Sequence, residues 1–187
     1  MGYSIAWLAA HGKPQESLHA ELGLRRTGKP GEYPDDPMVG APLDGGWYLL
    51  VARGCDHRMI SEQVLRTLSR DCRVIACSIE EHVMFSSAAL WENGRRVWSV
   101  SHQGDEKLDD LSADGTLPDF FASVRDELLG KQAAEGGADA GVDYVFEIPL
   151  ELARRITGFA HDSAASVEID RFEVLDPAPA KSRWKFW

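Results

Sequence analysis

The segment 73–102 restricts what this chain can fold into more than any other. Arg73-Val-Ile-Ala-Cys-Ser-Ile is apolar and β-branched, and His82 to Leu90 continues as a second extended run. Glu92-Asn93-Gly94-Arg95 then supplies the Asn-Gly pair of a two-residue hairpin turn, whose central positions need positive φ. On the return strand Val97 and Ser99 alternate with Trp98 and Val100. The spacing predicts an antiparallel sheet centred here, with Trp91 and Trp98 packing as a cross-strand aromatic pair.

Upstream, Tyr3-Ser-Ile-Ala-Trp-Leu-Ala reads as a strand with apolar residues on both faces. Pro14 and Gly23 bracket a short helix carrying Leu18 and Leu22. Residues 25–37, polar and rich in Gly and Pro, read as a loop. Val39 to Leu43 and Trp47 to Ala52 read as strands around an Asp44-Gly45-Gly46 turn, with Pro42 pushing the first of them towards a sheet edge. A helix follows over Arg58 to Ser69. This order, strand-helix-strand-strand-helix-strand, predicts an α+β fold: a mainly antiparallel sheet with helices packed on it, built around a ferredoxin-like βαββαβ unit.

Downstream, Asp105 to Leu111 reads as a short acidic helix and Pro118 to Lys131 as a longer one. Tyr144 to Ile148 reads as a strand, with Pro149 opening a further helix, and Val167 to Leu175 holds a last strand. The expected division is one domain over residues 1–176, followed by a Pro/Ala-rich linker and a basic, aromatic tail over 177–187. That tail, ending Arg183-Trp184-Lys185-Phe186-Trp187, is expected to fold back on the acidic half of the chain.

Charge is unevenly distributed. The chain of 187 residues has a formal net charge of −10, and residues 104–180 hold six basic against eighteen acidic groups. A field of that sign repels nucleic acid and anionic membranes and attracts basic partners. No apolar run approaches the roughly 20 residues that cross a bilayer. The first ten residues lack the positive start of a secretory signal, and three cysteines make no disulfide framework. The expected setting is therefore cytoplasmic, with no nucleic-acid or membrane partner and no cofactor.

The common catalytic signatures are absent: no Gly-x-Gly-x-x-Gly, no phosphate-binding Gly-Lys-Ser/Thr loop, no Gly-x-Ser-x-Gly and no His-Glu-x-x-His. Two clusters could carry chemistry. Cys55-Asp56-His57 lies between a strand and a helix, where free N–H groups favour a thiolate and an imidazole can act as base; the competing reading makes Asp56 a helix cap and Cys55 a small core residue. Glu80 and His82 share one face of an extended run, with Glu81 on the other, and could move a proton or help bind a metal together with Cys72 or Cys77. Asp110, Ser112, Asp114 and Gly115 imitate half of a calcium loop, but Phe121 stands where its bidentate Glu belongs. The expected function is thus a non-catalytic binding protein of regulatory or toxin-neutralising type, engaging a basic protein partner through an acidic surface. The alternative is a small-molecule enzyme or ligand-binding domain with its site near Cys55, His57, Glu80 and His82.

Overall fold

The computed structural model describes residues 2–104, 110–163 and 172–179. Its centre is one nine-stranded antiparallel sheet, an α+β architecture with helices on both faces. The strands are β1 (Ser4–His11), β2 (Leu24–Pro30), β3 (Met38–Pro42), β4 (Trp47–Arg53), β5 (Arg73–Glu80), β6 (Phe85–Glu92), β7 (Arg95–Gln103), β8 (Leu111–Gly115) and β9 (Glu173–Pro177). The helices are α1 (Gln15–Leu22), α2 (Glu62–Leu68), α3 (Phe121–Ala134) and α4 (Glu147–Thr157). Across the sheet the order is β2-β9-β3-β4-β1-β5-β6-β7-β8. Antiparallel pairing makes β1 and β3 run parallel with β4 between them, and β4 and β5 run parallel with β1 between them. Among the described residues, no helix is long and apolar enough to cross a membrane.

Alternation along the strands builds two cores. Ile5, Trp7 and Ala9 of β1 join Ile75, Cys77 and Ile79 of β5 on the face covered by α3 and α4, through Val124, Leu128, Ile148 and Leu152. Ala6, Leu8 and Ala10 join Val74 and Ala76 on the opposite face, under Leu18 of α1 and Leu65 and Leu68 of α2. The buried ammonium of Lys13 ties the two short helices together, reaching Glu21 and Asp71 at 2.7 Å each and the Leu68 carbonyl at 2.9 Å. The α1/α2 layer stops short of the sheet's far end. There Ser87, Ser101 and Ser112 lie side by side across β6 to β8 on the same uncovered face. Small hydroxyls suit a sheet face left to water.

Several expectations are corrected. Residues 24–30 are a strand, because β9 pairs with them and Arg25–Asp176 (2.8 Å) and Arg26–Glu173 (2.6 Å) clamp the two together. The first eighty residues therefore hold one more strand than the six-element order. β3 lies inside the sheet between β9 and β4, and Pro42 is tolerated because it ends the strand. Trp91 and Trp98 do not pair. A register shift between Leu90 and Trp91 sends Trp91 to the α1/α2 core and Trp98 to the other. Leu111–Gly115 is strand β8 on the edge of the sheet, so Asp110, Ser112 and Asp114 cannot wrap a cation as a calcium loop would. Residues 105–109 fall outside the described residues, as do 167–171 of the expected last strand and the tail from 180. The expected helix over 58–69 breaks at Ser61 into a 3-10 turn and α2.

Candidate functional site

Tyr144–Ile148 is not a strand, and the reason leads to the site. The Asp143 carboxylate accepts hydrogen bonds from the Val145 and Phe146 amides at 3.0 and 3.1 Å, capping the turn that becomes α4. Pro149 then sits in the first helical turn, where its missing N–H costs nothing. The other Asp143 oxygen meets Nε2 of the buried His102 at 2.9 Å, while His102 Nδ1 meets the Asp110 carbonyl at 2.8 Å. Ser86 Oγ donates to the Phe146 carbonyl at 2.7 Å. Three contacts from β6, β7 and the segment before β8 therefore fix where α4 begins.

The first residue of α4, Glu147, opens into a cleft of ≈ 170 Å³ shared with Trp7, Leu150, Glu151, Arg154, Phe159, Ala160, His161 and Asp162. Burial pushes its carboxyl up to about 7, and the charges of Asp162, Glu81, Glu151 and Asp143 add to the rise. A helix N-terminus favours an anion, so this rise works against the local dipole. No described residue gives Glu147 a hydrogen bond. Glu151, one turn on, shows what such a bond does. Burial works against its ionisation too, but the guanidinium groups of Arg154 (2.5 and 2.8 Å) and Arg155 (2.7 Å) outweigh it and hold the carboxyl low.

Across the cleft, His161 is buried, and its Nε2 lies 3.3 Å from Glu81 Oε1. Glu81 is held in turn by the Tyr3 amide, which donates to Oε2 at 2.8 Å. The His161 ring meets Tyr3 edge-on at 5.2 Å, and Tyr33 Oη donates to its carbonyl at 2.7 Å. Trp7 packs edge-on against Phe159 at 5.2 Å. Its indole N–H is fully buried and has no hydrogen-bond partner among the described residues. A buried donor left unpaired costs about 1–3 kcal/mol.

The four residues singled out from sequence fall in three places. Glu80 and His82 do meet, at 2.6 Å, in an exposed turn after β5, and hydrogen bonds from Ser4 and His82 hold the Glu80 carboxyl down at about 2. The His57 ring accepts from the Met59 amide at 3.3 Å and lines a small apolar pocket with Leu22, Leu24 and Met38. Cys55 offers its carbonyl to Ser78 Oγ at 2.7 Å. No hydrogen bond among the described residues joins Cys55 or His57 to Glu80 or His82. Cys72 donates to the Leu68 carbonyl at 3.1 Å, and Cys77 is sealed in the core. A larger and more open groove of ≈ 280 Å³ runs beside α2 over Ser87, Trp91, Ser99 and Ser101. Its lining has only Glu62 and Arg96 as charged groups, whereas the smaller cleft gathers Glu147, Glu151, Arg154, His161 and Asp162.

Sequence reading missed Glu147, Trp7 and His161. An acidic residue in a first helical turn is what a helix wants anyway, so Glu147 gave no signal. Comparison of the chain with protein-family models, with curated proteins and with solved structures finds no match.

Proposed function

We propose that this protein is a ligand-binding domain whose working site is the cleft between β1, α4 and the segment 159–162, with Glu147 exchanging a proton as the ligand enters. The observation that carries this reading is a carboxyl poised near neutrality in a cleft that also contains an unpartnered indole N–H. A strongly perturbed titratable group in a concave, mostly walled site is where binding or acid–base work concentrates. Four of the five clustered carboxylates, Asp143, Glu147, Glu151 and Asp162, belong to the acidic stretch 104–180. On this reading the charge asymmetry is focused into one site, which joins the expectation of a basic partner to a defined place on the molecule.

A second reading, acid–base catalysis, is favoured by one arrangement. The Glu81–His161 pair sets an oriented imidazole in the same cleft as Glu147, giving two groups able to trade protons. Both readings predict where small molecules bind. A screen of polar fragments by NMR, observed through the Trp7 indole resonance, is expected to find compounds that shift it in wild type and lose that effect in Glu147→Gln. If no fragment moves that resonance, or if its response is the same in the variant, the cleft is not the working site.

A further inference from the structure

The charges facing Glu147 come from every element around it. Glu151 lies on its own helix, Asp143 at the helix start, Glu81 in the turn after β5, and Asp162 in the segment after α4. In the cleft the Arg154 guanidinium is already engaged by Glu151, and the His161 ring by Glu81. Among the described residues this leaves an excess of negative charge, with no cation paired to Glu147 and no acceptor for the buried Trp7 N–H. Trp7 lines that cleft and is only 2% exposed. The aromatic rings of Trp7 and Phe159 add faces to which a cation is attracted.

We propose that the cleft takes an organic cation of guanidinium or primary-ammonium type whose frame also carries an oxygen acceptor, the cation pairing with Glu147 and the oxygen accepting from the Trp7 indole. This rests on the binding reading above and names its ligand class. A planar guanidinium can meet both oxygens of a carboxylate at once, as Arg154 already does with Glu151. The size of the cleft suits one side-chain-sized group. An arginine or lysine of a partner chain and a free small amine present the same chemistry, the partner supplying its oxygen from the backbone.

Binding a cation stabilises ionised Glu147, so the proton leaves as the ligand arrives. With the free carboxyl at about 7, roughly half a proton is released per ligand at neutral pH. Affinity should then rise about tenfold from about pH 6 to about pH 8. The experiment is calorimetry on the full chain with N-acetyl-arginine methylamide and its neutral isostere N-acetyl-citrulline methylamide, in two buffers of different ionisation heat. The expected result is tighter binding of the arginine compound by at least about tenfold, with proton release. Glu147→Gln should abolish both the preference and the release, and Trp7→Phe, which keeps the ring and removes the N–H, should weaken binding of both compounds.

Equal affinity for the two compounds, or affinity that falls with rising pH, overturns the cation assignment. If both bind with a shift of the Trp7 indole, the cleft still stands as a binding site. If neither moves it, the binding reading fails as well. A parallel arm with methylguanidinium and an arginine-containing tripeptide separates the sources. Tighter binding of the tripeptide points to a partner chain, and equal binding points to a free small cation; both support the shared chemistry.

Discussion

At the scale of single residues, Glu147 couples function to stability with a definite sign. In the unfolded chain its carboxyl releases its proton near 4.5, and in the cleft it keeps the proton up to about 7. Between those values the folded state binds more protons than the unfolded one, so stability falls as pH rises through that window. The loss is roughly 2–3 kcal/mol once the solvent-facing part of the side chain is allowed for. Glu147→Gln should remove this slope. Urea unfolding at about pH 5 and about pH 8 should show the wild type losing stability over that interval and the variant keeping its own, ending more stable than wild type. A site that costs the fold this much is consistent with selection for binding. The residue was illegible in the sequence because Glu81, which faces it, is 66 positions away and Trp7, which walls its cleft, is 140 away.

At the scale of elements, two contacts decide whether the cleft is assembled. Asp143 holds the turn that leads into α4 and pairs with a fully buried His102, so removing it unfastens the approach to the helix and strands a polar ring in the core. Asp143→Ala should cost about 2–4 kcal/mol, read as a lowered urea midpoint, and should also weaken every fragment that reports through Trp7. The β6–β7 turn has Asn93 at φ 53° and Gly94 at φ 69°, both left-handed. A Cβ on Gly94 would stand 3.2 Å from the Arg66 carbonyl. Gly94→Ala should therefore destabilise by about 1–2 kcal/mol while leaving the Glu147 titration unchanged, which separates scaffold from site.

The hairpin was legible because its signal is local: two turn residues and an alternating flank. The helix start at 143–149 was not, because Tyr-Val-Phe reads as strand and only the Asp143 carboxylate turns it. Nor was β2, whose partner β9 lies some 147 residues along the chain and whose Arg and Lys residues suit an exposed edge.

Across the whole molecule, the sheet divides labour between its ends and faces. The α1/α2 and α3/α4 layers sandwich its middle, so β1 and β5 are buried on both sides and read as continuous apolar runs. Cys77 lies at the centre of that sandwich, its thiol fully buried and raised well above its ordinary range. Its alkylation should follow global unfolding alone, with a rate that rises in urea in step with the loss of tryptophan fluorescence. Cys55, partly exposed at the β4 end, should label without unfolding.

The cleft lies between Trp7 of β1, the start of α4 and the segment 159–162, with Glu81 from the turn after β5 facing Glu147. The account depends on the protonation of one carboxyl there. A carbon-detected NMR titration of the Glu147 side chain tests it most directly. The expected midpoint is about 7, moving down when an arginine derivative is added; a midpoint near the ordinary 4.5, unmoved by any cation, would rule out a cation-binding Glu147.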